Sequence, residues 1–92
     1  MLTVRDNQAM TRFEMASGNA TAFIEYRRSG NQIVLTHTEV PEAMSGQGVG
    51  SKLVGGVLDA IRAEGVAVVP ECEFVANFIQ RHPGYQSLVA DV

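Results

Sequence analysis

The sequence predicts an α+β fold: an antiparallel β-meander followed by a glycine loop, a helix, a strand and a second helix, giving a mixed sheet with helices packed on it. Three observations carry that prediction. Residues 20–28 alternate along the chain at the two-residue period of a strand. Beyond Pro41 the apolar spacing changes to that of a helix. Between the two regimes stand three alternate glycines, Gly46, Gly48 and Gly50.

Each element follows in order. Residues 11–16 read as the first strand, and Ser17, Gly18 and Asn19 supply the turn that opens a hairpin. In residues 20–28, Ala20, Ala22, Ile24 and Tyr26 fall on one face, with Thr21, Phe23, Glu25 and Arg27 on the other. Ser29, Gly30 and Asn31 turn the chain into a third strand, residues 32–40, which Pro41 ends by removing a ladder donor. Val49, Leu53, Val54, Val57, Leu58 and Ile61 then form one stripe of a helix, with Gly65 at its C-cap. Gly55 and Gly56 inside that helix each cost about 1 kcal/mol relative to Ala, which close packing on the sheet would offset. Residues 66–69 read as a buried strand ended by Pro70, and Phe74, Val75, Phe78 and Ile79 as the apolar stripe of a second helix. His82, Pro83 and Gly84 break that helix, and residues 85–89 close the chain. The stretch from Ile33 to Val69 is long enough for a right-handed crossover that sets its two strands side by side and parallel.

The chain has 92 residues, room for one domain over 1–92 with one core. Its composition is that of an ordinary globular domain. No apolar run approaches the roughly 20 residues that span a bilayer, and residues 1–17 lack the basic start and apolar block of a signal peptide. A cytoplasmic location without membrane contact is therefore expected. The net charge of −3 offers no global attraction to a phosphate backbone, so nucleic acid is not the expected partner. Cys72 is the single cysteine; it has no partner for a disulfide or a zinc site, and no metal is expected. It is either a small core residue or a reactive thiol. An exposed strand edge leaves a monomer or a weak homodimer as the expected state.

The glycine loop, residues 45–51, lies between a strand and a helix start, where backbone N–H groups stay uncovered and the helix dipole is positive. An anion, most simply a phosphate, fits there. A nucleotide P-loop needs G-x-x-x-x-G-K-S/T, whereas here Gly50 is followed by Ser51 and Lys52. A Rossmann site needs G-x-G-x-x-G in a larger doubly wound sheet, and Gly46-Gln47-Gly48-Val49-Gly50 has the wrong spacing. A pyrophosphate held beside a mixed sheet remains.

Four ordered segments narrow this further: His37-Thr38-Glu39-Val40-Pro41, then Gly46 through Val54, then Val69-Pro70-x-Cys72-x-Phe74-Val75, and finally Arg81-His82-Pro83-x-Tyr85. Together they resemble the small single-domain branch of the GCN5-related N-acetyltransferases, over nearly the whole chain. The resemblance implies a minimal acetyltransferase fold reduced to its coenzyme-binding half, with acetyl-CoA as cosubstrate. It also implies that the loop wraps the coenzyme A pyrophosphate while the preceding strand, ending at Val40, pairs with the pantetheine amides. The coenzyme-binding residues are then Val40, Ser45, Gly46, Gln47, Gly48, Val49, Gly50 and Ser51. Gly48 and Gly50 fall on the small positions of the family motif Arg/Gln-x-x-Gly-x-Gly/Ala. Its Arg/Gln position falls on Ser45, which adds no positive charge, leaving Gln47 and Lys52 as partial substitutes.

Acetyl transfer needs a deprotonated amine, a polarised thioester carbonyl and a stabilised leaving thiolate. Glu39 is the candidate base, since related enzymes often carry a glutamate on this strand. By alternation His37 shares its face and continues that of Ile33 and Leu35, so it is either a catalytic group or a neutral core histidine. Cys72 matches the cysteine that the small branch places near the thioester; a helix start favours a thiolate there, while Glu71 and Glu73 oppose one. Tyr85 is expected to pack and His82 to cap the second helix. The acceptor implied is an amine, on a small molecule or a protein lysine. A non-catalytic coenzyme A-binding or interaction module is the alternative.

Overall fold

The alternation of residues 20–28 becomes the central antiparallel strand of a five-stranded sheet. The computed structural model describes residues 3–46 and 48–90. Its strands are β1 (Arg5–Asn7), β2 (Arg12–Ser17), β3 (Ala20–Ser29), β4 (Gln32–Glu39) and β5 (Ala67–Pro70), in sheet order β1-β2-β3-β4-β5. The first four pair antiparallel, and β5 joins β4 in parallel, as the crossover predicts. Helix α1 (Val49–Glu64) makes that crossover, and α2 (Glu73–Arg81) follows β5. Short 3₁₀ turns occupy Glu42–Met44 and Pro83–Leu88, and Val89 then bridges Val68 in parallel. Among the described residues no helix is long and apolar enough to cross a membrane. Strand β1 lies ahead of residue 11, where the sequence pattern starts the sheet; its residues Arg5, Asp6 and Asn7 carry no apolar alternation to betray a strand.

The core lies on one face of the sheet. Phe13, Met15, Ala22, Ile24, Tyr26, Ile33, Leu35 and Val68 meet the whole predicted stripe of α1, all six residues of which are buried. Fully burying each such side chain is worth roughly 1.5–3 kcal/mol, more than any helix propensity in α1. Val75, Phe78 and Ile79 of α2 complete the cluster. Gly55 and Gly56 mark close packing, though not against the sheet. A Cβ on Gly56 would lie 2.6 Å from Val4 Cγ2, and one on Gly55 would lie 3.6 Å from the Phe78 ring. The helix is pinched between α2 and the segment ahead of β1.

One irregularity decides which side chains reach each face. Glu25 pairs with His37 but Tyr26 pairs with Leu35, so Thr36 is an extra residue in β4. Such a bulge reverses the alternation beyond it. Thr38 therefore pairs with the buried Ile24 on the core face, whereas His37 opposes the exposed Glu25 and Glu39 opposes Phe23 on the other face. The expectation that His37 continues the Ile33 and Leu35 face is thereby overturned.

On the face away from the helices, an ion cluster ties β1 to β2. Glu14, only 7% exposed, accepts hydrogen bonds from Arg12 Nε (2.6 Å), Arg5 Nη2 (2.9 Å) and Asn7 Nδ2 (3.0 Å). These donors, Arg12 foremost, hold its carboxyl at about 2 rather than the usual 4.5. A carboxylate with a lowered folded pKa stabilises the fold above its unfolded value and loses that contribution as pH falls towards the folded one. Glu14→Gln should therefore cost about 1–3 kcal/mol at neutral pH. The deficit should shrink between pH 4.5 and about 2. Urea midpoints measured at pH 7 and pH 3 check this, and equal midpoints at pH 7 would refute it.

Candidate functional site

The site begins where β4 loses its neighbour. Parallel pairing with β5 stops at Leu35 opposite Pro70, and the last bond along that edge is Cys72 N–H to the Leu35 carbonyl, 2.9 Å. Pro70 ends the strand and the chain turns into α2, while β4 runs on to Glu39. Among the described residues no strand pairs with that edge beyond Leu35. Its backbone N–H and C=O groups are free to pair with an extended ligand.

At the end of this edge the glycine loop forms an open depression of about 260 Å³. Val40, Ser45, Gly46, Gly48, Val49, Gly50 and Ser51 all line it, together with Met44 and Phe74. Gln47 lies outside the described residues. Gly46 and Gly48 adopt φ of +80° and +68°, the left-handed region that L side chains resist. Gly48 is the N-cap of α1: its carbonyl accepts from Lys52 N–H at 3.1 Å, no side chain caps the helix, and its first turn holds no acid. Val49, Gly50 and Ser51 thus keep backbone donors without intrahelical acceptors, at the positive end of a 16-residue dipole. Gly50 is small for a different reason. A Cβ there would stand 2.7 Å from Phe74 Cζ, so the bare backbone lets the Phe74 ring rest on the first turn of α1.

Ser45 does not stand in for a cation. Its Oγ–H donates to the Glu42 carbonyl at 2.8 Å, and its N–H donates to the same oxygen at 3.1 Å, which closes the preceding 3₁₀ turn. Phe74 departs from the expected stripe of α2, being 45% exposed. Nothing in the period of α2 separates it from Phe78; the clue lay in the absent Cβ of Gly50.

Cys72 sits half-buried at the N-cap of α2, its carbonyl accepting from Ala76 N–H at 3.0 Å. Its Sγ lies 3.2 Å from Thr38 Oγ1, a hydrogen bond in which either atom can donate. Thr38 was not among the sequence candidates, because only the bulge at Thr36 turns it towards the helices. The same bulge puts His37 and Glu39 on the opposite face of β4, 53% and 60% exposed, with Nε2 and Oε1 3.6 Å apart. Of the three candidate catalytic residues, two therefore stand together on one face of the strand and Cys72 belongs to the other.

The end of α2 is built for support. His82 Nδ1 bonds the Phe78 carbonyl at 2.8 Å and its ring stacks on Phe78, so it caps the helix as expected. Tyr85 donates its hydroxyl to Asp59 at 2.8 Å, and this carboxylate raises the phenol above its ordinary range. That keeps Tyr85 a neutral tie between α1 and the closing turn. Among the described residues no cluster of three or more His, Cys, Asp or Glu is arranged to hold a metal.

The chain is similar to known proteins in sequence and in fold. The sequence model of the GCN5-related N-acetyl-transferase family matches residues 12–88. Protein NATD1 of Bos taurus is 33% identical over 63 residues, 67% of this chain and 56% of its own length. Its Homo sapiens counterpart is 32% identical over the same share of each. The matched stretch is thus a little over half of those relatives. The solution structure of a GCN5-like protein from Staphylococcus aureus superposes with a TM-score of 0.74 at 28% identity, covering 99% of this chain and 90% of that one. By sequence and by fold, the chain belongs to the GCN5-related N-acetyltransferase family.

Proposed function

We propose that this chain, acting as one domain over residues 1–92, binds acetyl-CoA and transfers its acetyl group to an amine, on a small molecule or a protein lysine. The observation that carries the reading is continuity: the unpaired edge of β4 carries Thr38 against Cys72 and leads to Val40, which lines one depression with the uncapped start of α1. Pantetheine amides would pair with that edge as a short extra strand, and the pyrophosphate would take the donors of Val49, Gly50 and Ser51. Val40, Ser45, Gly46, Gln47 and Gly48 would complete the cradle.

The thioester would then lie at the free edge of β4 near Cys72, and the acceptor would come to that edge from the face that carries His37 and Glu39. There Glu39 would remove the amine proton, with His37 beside it to relay charge. In direct transfer the amine nitrogen attacks the carbonyl carbon, the C–S bond breaks, and the coenzyme thiolate takes up a proton. In the two-step route Cys72 Sγ attacks first and releases coenzyme A, and the amine then takes the acetyl group from the cysteine thioester.

Ser45 supports a second reading. With its hydroxyl committed to Glu42, no side-chain cation stands at the usual Arg/Gln position, which suits a non-catalytic coenzyme A-binding module. Calorimetric titration with coenzyme A and acetyl-CoA tests what both readings share, and absence of heat at millimolar ligand would sink both. Thiol release from acetyl-CoA on adding an amine panel separates them: release supports transfer, and silence with binding intact supports the module.

A further inference from the structure

A second depression, about 110 Å³, lies beside the glycine loop on the far side of Phe74. Its walls are Ser51 from the first turn of α1 and Phe74, Asn77, Phe78, Arg81 and His82 from α2 and its cap. Phe74 and Ser51 line both depressions, so the two form one groove divided by an exposed aromatic ring. Along α2 the residues at 74, 77, 78 and 81 make one stripe, with Phe74 and Arg81 seven residues or about 10 Å apart.

Arg81 differs from most of the other arginines. Arg5, Arg12, Arg27 and Arg28 each have a carboxylate within 4.0 Å, and Arg62 donates to the Gly84 carbonyl and lies over Tyr85. Among the described residues Arg81 has no such acceptor, and it is exposed at the rim of this depression. The floor is rigid, because His82 is stacked on Phe78 at 4.0 Å and tied to its carbonyl through Nδ1. The result is a small pocket with a guanidinium, a carboxamide and flat aromatic walls, one step from the donors at the start of α1.

We infer that this depression takes the adenosine 3′-phosphate end of the coenzyme, with Arg81 donating to the phosphate and the adenine lying against the exposed face of Phe74. The inference rests on the coenzyme reading above and adds to it a basis for discrimination. Phe74, 45% exposed at the rim, offers a flat face to the base, and stacking on an aromatic ring is tolerant of orientation. A planar guanidinium suits a terminal phosphate better than the single-point charge of Lys52 does.

The test is calorimetric titration of the full chain with coenzyme A and with 3′-dephospho-coenzyme A, on wild type and on Arg81→Gln. Arg81 is exposed, so the variant folds. Wild type should prefer coenzyme A by about five- to tenfold. Arg81→Gln should reduce the preference to within about twofold by weakening coenzyme A alone, leaving the dephospho form unchanged. Equal affinities in wild type, or a preference that survives Arg81→Gln, would overturn the subsite while leaving the coenzyme reading intact. Failure of both ligands to bind wild type would overturn the coenzyme reading and the subsite with it.

Discussion

Gly48→Val should abolish measurable coenzyme A binding, a loss of about 100-fold or more, and lower the melting temperature by several degrees. The stability part follows from the backbone. Gly48 sits at φ +68° as the N-cap of α1, and a side chain in that conformation costs roughly 1–2 kcal/mol, more when it is β-branched. In a chain of this size that is several degrees of melting temperature for each kcal/mol. The binding part follows from what surrounds the residue. Apart from its chain neighbours, a Cβ on Gly48 meets no atom of the described residues within 4 Å, so a new side chain projects into open space at the mouth of the depression rather than into the core. Gly48→Asn separates the two effects, because asparagine tolerates the left-handed region while still adding bulk. It should keep nearly wild-type stability and still bind coenzyme A more weakly. If Gly48→Val bound as tightly as wild type, the loop would be scaffold and the coenzyme would be held elsewhere on the chain.

The loop shows what a single sequence can reveal. Gly46, Gly48 and Gly50 were legible as a group because three alternate glycines exceed what one turn requires, and every described residue assigned to the coenzyme lines one depression. The stripe from Val49 to Ile61 was equally legible, since helical period and burial coincide there at six positions. What failed were features that belong to pairs of elements rather than to one. The bulge at Thr36 is a mismatch between β3 and β4, invisible in either strand alone, yet it decides that Thr38 rather than His37 faces the helices. Phe74 is 45% exposed, its ring lying against Gly50 at the start of α1, a contact between two helices that the periodicity of α2 cannot report. Strand β1 is three polar residues held by the ion cluster around Glu14, so no apolar pattern announces it. Local period gave the elements; the chemistry of the site depends on their registration.

Registration also sets the second large effect. Because Cys72 bonds Thr38 on one face of β4 while His37 and Glu39 stand on the other, the two routes of transfer use different residues and can be told apart. Cys72→Ala should leave coenzyme A affinity within about threefold, since neither the loop nor the β4 edge is touched, and should lower the acetyl-transfer rate by about 100-fold if the cysteine carries the acetyl group. Incubation of wild type with acetyl-CoA alone should then yield protein acetylated on Cys72, detectable by mass spectrometry, and the alanine variant should stay unmodified. Thr38→Val, which keeps the shape but removes the hydroxyl 3.2 Å from Sγ, should slow formation of that species without preventing it. An alanine variant that transfers acetyl groups within twofold of wild type would exclude the cysteine route. Glu39→Gln would then be the variant expected to lose activity, because in the proposed direct transfer Glu39, 3.6 Å from His37, takes the amine proton.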